Sequence, residues 1–306
     1  MTIMILGSIN TDITAYADAL PRVGETVMGR SYTMDLGGKG ANQAAAVARL
    51  GARAEFVGRI GTDAFGKLAM ERLEAFGVST GHSTRDDATG TGLAIIGVDA
   101  QARNAITVLS GANMRIGEEE LRQALPLLER SKVLMLQLEI PLATCEAAAR
   151  AARERGVAVV FDPAPVPKGG LPPGLYPFID VITPNETEAE VLLGFEPDSI
   201  EAAARAAREF RARGARAAVV TLGGRGAFVS GEGVEELVPA FAVTPVSTVA
   251  AGDCFNAGLA VALSEGKGLV EAARFASACG ALCATKEGAA ASAPTREEVL
   301  ALMARG

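Results

Sequence analysis

Between residues 245 and 265 the chain reads PVSTVAAGDCFNAGLAVALSE, where Ala250, Ala251 and Gly252 lead to a single carboxylate, Asp253, at the opening of an apolar helical pattern. Phe255, Leu259, Ala262 and Leu263 recur at helical spacing, so one face is expected to be buried while the opening turn stays accessible. The first N–H groups of a helix lack intrahelical partners, and side chains this small let an anion come close to them. The dipole at that end favours Asp253 as carboxylate, which suits it to take a proton from an alcohol near neutral pH. An anion hole beside a base points to phosphoryl transfer. The stretch by itself is also explained by a helix-start aspartate that does no chemistry, the commoner case.

Other polar residues fall where strands should end. TIMIL, residues 2 to 6, reads as a buried strand running into Asn10 and Asp12, a place where ligands meet α/β sheets and also a common home for turn residues. In LGGKGANQAAAVARLG, residues 36 to 51, Gly37, Gly38 and Gly40 precede an alanine-rich helix expected to begin near Ala41. Backbone there can approach a ligand, and Lys39 and Asn42 can donate to several hydroxyls; a glycine loop with a helix cap explains the same residues. VLMLQLE puts Glu139 just past a strand buried on both sides, as a rim residue or a ligand contact. VITP runs into Asn185-Glu186-Thr187-Glu188, oxygen ligands suited to hydrated magnesium on a nucleotide, or an N-cap with Glu188 completing its box. AVVTLGGRGAFVS ends one strand at Thr221 and starts another near Ala227; the turn with Gly223, Gly224 and Gly226 admits a nucleotide or makes a hairpin.

The elements that must position these residues follow from periodicity. From residue 54 to 221, strands at 54–60, 132–138, 157–161, 179–183 and 216–221 alternate with helices at 63–76, 117–130, 141–155, 185–193 and 199–213. That alternation predicts a parallel sheet with helices on both faces. Residues 269–285 and 295–304 close the chain as helices, and DPAPVPKGGLPPG, residues 162 to 174, is a loop. Residues 26 to 36 and a hairpin of 91–98 with 104–110 alternate as half-covered strands and predict a small second sheet, a flap over the site. Its apolar face invites a second subunit, so a homodimer through the lid is expected.

Composition removes other classes. The chain has 306 residues, 49% hydrophobic and 21% charged, with Lys+Arg 29, Asp+Glu 36 and a net charge of −7. No basic cluster offers a surface for nucleic acid or anionic membrane. The start, MTIMILGSIN, has no basic n-region and no later run reaches membrane length, so a cytoplasmic protein is expected. Cys145, Cys254, Cys279 and Cys283 show no CxxC spacing and read as reduced core thiols. His82 is the single histidine and lies in a polar loop, which argues against zinc and a Ser-His-Asp triad. GxGxxG is missing after the first strand and GxxxxGK[ST] is absent, so neither a nicotinamide dehydrogenase nor a P-loop is supported.

Taken together, Asn10/Asp12, GGKGAN, NETE, TLGGRG and AAGD resemble the ribokinase family of sugar kinases, in order and separation, along nearly the whole chain. The resemblance implies one α/β domain over residues 1–306, a doubly wound, mainly parallel sheet flanked by helices, with a small β lid from segments 11–36 and 89–110. It implies transfer of the γ-phosphoryl group of ATP to a sugar hydroxyl, in ribokinases the 5-hydroxyl of D-ribose, with Mg2+. Carried over by resemblance, Asn10, Asp12, Gly37, Gly38, Lys39, Asn42 and Glu139 hold the sugar, Asp253 is the base, and Ala250, Ala251 and Gly252 form the anion hole. Asn185, Thr221, Gly223, Gly226, Gly252 and Ser277 line the nucleotide, and Glu188 acts on magnesium through water. Ser277 stands where some ribokinases carry a histidine near the adenine.

A larger departure from the family than that at Ser277 lies just before the AAGD turn. Ribokinases usually carry DTxAAGD or DTTGAGD where it has Ser247-Thr248-Val249-Ala250-Ala251-Gly252-Asp253. Ser247 thus replaces an aspartate that in the family helps bind an activating monovalent cation. It keeps an oxygen and loses the charge, leaving carbonyls near Val249, Cys283, Lys286 and Gly288, with Ser292, to suffice, which argues against K+ activation. The family reuses these motifs on other sugars and nucleosides. A non-catalytic sugar-binding regulator is the rival of a different class, and Asp253 within an intact AAGD argues against it.

Overall fold

The computed structural model describes residues 1–305. β1 (Thr2–Leu6) opens the main sheet, and the chain then leaves it for a lid through β2 (Asn10–Ala17) and β3 (Gly29–Gly37). It returns through α1 (Lys39–Arg49) to β4 (Arg53–Val57), passes β5 (Arg59–Gly61), α2 (Ala64–Ala75) and β6 (Thr84–Asp86), and completes the lid with β7 (Gly92–Val98) and β8 (Asn104–Leu109). Then follow α3 (Glu118–Leu128), β9 (Val133–Leu136), α4 (Leu142–Glu154), β10 (Ala158–Phe161), β11 (Val181–Ile182), α5 (Glu186–Leu193), α6 (Ile200–Ala212) and β12 (Ala217–Thr221). An antiparallel extension, β13 (Ala227–Gly231) and β14 (Val234–Val238), precedes α7 (Ala251–Ser264), α8 (Leu269–Ala284) and α9 (Arg296–Met303).

The main sheet has the order β14-β13-β12-β11-β10-β9-β1-β4, parallel from β4 to β12 and antiparallel at β13 and β14. Its strands are short and apolar on both faces because helices cover both, which is why TIMIL and VLML read as continuous runs. Alternate residues feed two cores: Ile3, Ile5, Val133 and Met135 pack under α1, α7 and α8, while Met4, Leu6, Leu134 and Leu136 pack under α3, α4 and α6. Along α7 and α8 small residues let the helices approach closely. A Cβ on Gly258 would lie 2.7 Å from Cys279 Sγ and 3.0 Å from Ala276 Cα, so a side chain at 258 would force the pair apart.

The lid is a four-stranded sheet in the order β3-β2-β7-β8. Asn10 pairs with both Gly37 and Gly92, so the strand carrying Asn10 and Asp12 begins where sheet and lid meet. Two boundaries differ from the sequence expectation. The run expected as one strand over 54–60 breaks at Gly58: β4 pairs with β1, whereas β5 turns away to pair with β6. The glycine-led helix starts at Lys39 rather than near Ala41. No helix among the described residues is long and apolar enough to cross a membrane, and all four cysteines are free and buried.

Candidate active site

The chain reverses its direction of travel across the sheet between β1 and β9, and ligands of such sheets lie outside the carboxyl ends of the strands at that reversal. Four of the polar residues noted in the sequence lie at those ends: Asn10 after β1, Glu139 after β9, Asn185 after β11 and Thr221 at the end of β12. β10 ends at Phe161 and is followed by Asp162, which sequence reasoning passed over as loop.

Helix α1 brings the residues together. Gly40 packs against the end of β1 so tightly that a Cβ there would lie 2.7 Å from Gly7 C and Ser8 N, which seats the first turn of the helix on the strand end. Gly37 and Gly38 close β3 and start the helix. From that turn Lys39 N–H donates to Glu139 Oε2 at 2.9 Å, and Ser8 Oγ donates to the same oxygen at 2.6 Å. Asn42 Nδ2 donates to Asp253 Oδ2 at 3.1 Å. The next residue, Gln43, donates from one amide nitrogen to Asp253 Oδ1 at 3.2 Å and to Asp162 Oδ2 at 3.0 Å, and its own Oε1 accepts from Gln137 Nε2 at 2.6 Å. On the lid side, Asn113 Nδ2 donates to Asn10 Oδ1 at 2.7 Å and to the Ile9 carbonyl. Asn113, Gln137 and Thr183 carry no sequence signal. Gln43 does: it lies four residues after Lys39, one helical turn along the same face.

Asp253 is the third residue of α7 and is buried. Burial pushes its carboxyl up to about 7, against the pull of Lys39 and the Asn42 bond and with the push of Asp162 and Glu139. The carboxylate form expected from the helix dipole is therefore only partly populated at neutral pH, because desolvation outweighs the dipole. Burial likewise raises Asp162 to about 6, countered by Lys39, and raises Glu188. Burial alone would lower Lys39, but Asp162, Asp253, Glu139 and Glu188 together raise it, so its ammonium stays charged. Asp12 is raised to about 7 by burial, then by Glu139 and Asp35. Asp12 Oδ1, Asn42 Oδ1 and Asn256 Oδ1 are buried with no hydrogen-bond partner among the described residues.

A cavity opens beside Asp253, lined among others by Lys39, Asp162, Asn185, Glu188, Thr221, Ala250 and Gly252. Ala250 caps α7 in the left-handed region, φ 59°, ψ 8°, a conformation that costs an alanine about 1 kcal/mol or more. The turn sends Ala251 N–H back to the Thr248 carbonyl at 3.2 Å, while the N–H groups of Ala250, Gly252 and Asp253 have no partner among the described residues. Asn185 caps α5, and Glu188 completes the box: Asn185 N–H and Nδ2 donate to Glu188 Oε2 and Oε1 at 2.9 and 2.8 Å. The capping reading of NETE is therefore realised, and the two residues that make the box also line the cavity. Gly223 and Gly226 sit in the turn after Thr221 and Ser277 is buried on α8; none of the three lines the cavity.

A family model described as pfkB family carbohydrate kinase matches residues 2–296. The chain belongs to the pfkB family of carbohydrate kinases. As a member it is a carbohydrate kinase on a ribokinase-like α/β fold. It is 42% identical over 299 residues to a ribokinase of Haemophilus influenzae, covering 98% of this chain and 97% of that one. The solved structure of Arabidopsis thaliana ribokinase complexed with ribose and ATP superposes with a TM-score of 0.91 at 34% identity, covering 98% of each chain. A deoxyribokinase of Salmonella typhi is 34% identical over 255 residues, 83% of each chain.

The residues around the loop before α7 lie as follows in this carbohydrate kinase. Ser247 Oγ accepts from Val249 N–H at 3.3 Å. Cys283 Sγ is 3.5 Å from the Val249 carbonyl oxygen and 3.0 Å from Ser292 Oγ, and the Cys283 carbonyl accepts from Lys286 N–H at 3.1 Å. Lys286 Nζ pairs with Glu298, and Gly288 turns the chain at φ 94°.

Proposed function

We propose that this kinase transfers the γ-phosphoryl group of ATP to the 5-hydroxyl of D-ribose, with Asp253 accepting the hydroxyl proton. The observation that carries the reading is the pair of buried, unpartnered acceptors, Asp12 Oδ1 and Asn42 Oδ1, in the neighbourhood of a basic carboxylate. Buried acceptors without donors call for a ligand rich in O–H groups, and a polyol supplies them. Asn10, Gly37, Gly38, Lys39 and Glu139 complete the sugar side of this proposal, since they surround the same turn of α1.

On the phosphate side, Lys39 and the free N–H groups of the Ala250–Gly252 turn and of Asp253 stabilise charge on the moving group. Transfer is direct and in line, with no covalent enzyme intermediate. Asn185 and Thr221 flank the nucleotide, with Gly223, Gly226 and Ser277 further out. Magnesium would come with the nucleotide: among the described residues no three acidic groups form a ready-made metal cluster, but Asp162, Glu188 and Asp253 line the same cavity, and Glu188, whose oxygens are both engaged by Asn185, would reach the ion through water. Bound there, the ion neutralises phosphate charge. A monovalent cation is no part of this proposal, because Ser247 brings no charge to its loop.

The unit acts as one domain over residues 1–306, in the cytoplasm, with the lid segments 11–36 and 89–110 closing over the sugar. The lid also supports a homodimer: β8 is exposed along its length, with Ile106 at 56% and Val108 at 54%, an apolar strand left without cover. ADP release from ATP across a panel of D-ribose, 2-deoxyribose, other sugars and nucleosides tests the substrate. Ribose is expected to give the highest kcat/KM; preference for deoxyribose would move the assignment to the neighbouring activity, and no release with any sugar would leave a binding protein.

A further inference from the structure

We propose that Cys283 is a positioning residue for the phosphate-binding turn, its thiol holding the Val249 carbonyl where the resemblance implies a monovalent cation, so that this kinase needs no potassium. The proposal rests on the kinase reading of the site. Cys283 and Ser292 are fully buried. Ser292 gives its hydroxyl proton to the Ala289 carbonyl at 2.6 Å, which leaves its Oγ an acceptor. The thiol proton of Cys283 is therefore the one shared between Ser292 Oγ at 3.0 Å and the Val249 carbonyl at 3.5 Å.

The grip on Val249 matters because of the next atom along. In a trans peptide the C=O of one residue and the N–H of the next point opposite ways. Holding the Val249 carbonyl toward α8 turns the Ala250 N–H away from it, on the residue that both lines the cavity and sits in the left-handed region. That N–H has no partner among the described residues and is free for a phosphate oxygen. The thiol thus over-determines a turn that alanine by itself resists.

A cation does not fit the same donors. It would have to share the Val249 and Ser292 oxygens with the thiol that both of them face. Ser247 is neutral and its Oγ already accepts from Val249 N–H. The nearby Ala284 carbonyl accepts from Val246 and Ser247 N–H at 2.7 and 3.1 Å, and the Cys283 carbonyl from Lys286 N–H at 3.1 Å.

The test has a binding arm and a kinetic arm. In thermal-shift titrations the unmodified protein should respond alike to potassium and sodium chloride, whereas a Ser247→Asp/Cys283→Ala double variant, with a charge restored and the thiol removed, should acquire a potassium-specific upshift. In kinetics, the unmodified protein should have the same kcat in potassium as in tetramethylammonium salts. Cys283→Ala should lose about tenfold in kcat, less than the loss of a whole oxyanion donor, at unchanged KM for ribose. Cys283→Ser, which keeps a donor, should recover most of it. A potassium-specific shift in the unmodified protein, or full kcat in Cys283→Ala, overturns the proposal. The thermal-shift arm uses no sugar, so failure of the ribose assignment is seen separately.

Discussion

A single amide nitrogen of Gln43 donates to both Asp253, at 3.2 Å, and Asp162, at 3.0 Å, so the residue proposed as base and the carboxylate at the end of β10 are held by one side chain on α1. Gln43 is itself fixed by Gln137. Replacing Gln43 by Met, similar in volume and without donors, should cost about 1–3 kcal/mol of stability by leaving buried acceptors unpaired. Turnover should fall while ATP affinity holds. Urea unfolding and steady-state kinetics on the same preparation check both, and an unchanged kcat would remove Gln43 from the positioning of Asp253.

The protonation of Asp253 sets a pH dependence. Its folded pKa, pushed up to about 7 by burial, lies above the ordinary aspartate value. The base is therefore increasingly available as pH rises, and kcat/KM should climb across neutrality with an acid limb near 7. Lys39 pulls that pKa down, so Lys39→Met should move the limb to higher pH. A profile flat down to pH 5 would show that no group with this pKa limits the reaction.

The same shift has a stability consequence of opposite sense. A carboxyl whose folded pKa is raised favours the folded state fully below its unfolded pKa of 3.8, and that contribution is lost as pH rises through about 7. Asp253→Asn carries no charge and escapes the loss. Its thermal midpoint relative to the parent should be more favourable at pH 8 than at pH 5, and the reverse order would contradict the burial argument.

How much of this was legible beforehand depended on where each residue gets its role. The α/β alternation was readable because strands covered on both faces, such as VLML, are continuously apolar, and Asp253 stood out because small residues precede it at a helix start. Asp162 and Gln43 were not readable as a pair: they lie 119 residues apart and meet only because β10 ends and α1 begins at the same edge of the sheet. The break at Gly58 escaped notice because EFVGRIG reads as one strand-length run with buried Phe56, Val57 and Ile60, and only the change of pairing partner from β1 to β6 separates its halves. Asn185 and Glu188 show the opposite limit, since a capping box and a nucleotide contact require the same residues.

Asp12 offers an unpartnered buried oxygen at the start of the lid. Asp12→Ala should weaken ribose binding by about 10- to 150-fold, the range of about 1.5–3 kcal/mol for a lost charged hydrogen bond, while leaving the ATP dissociation constant in place. Calorimetric titration with each ligand separately distinguishes this from general unfolding.

The exposed apolar residues of β8 bear on assembly. Ile106→Lys with Val108→Lys places two charges on the lid face and should convert a dimer to monomer in sedimentation equilibrium, with the main fold intact by circular dichroism. A parent protein that is already monomeric would remove the dimer from the proposal.

The most direct test of the central claim is ADP formation by Asp253→Asn with ribose and saturating ATP, measured beside its affinity for ATP. Loss of a positioned base predicts turnover lower by about 10² to 10⁴ with nucleotide binding retained. Turnover close to that of the parent would contradict the assignment of Asp253 as the group that takes the sugar's proton.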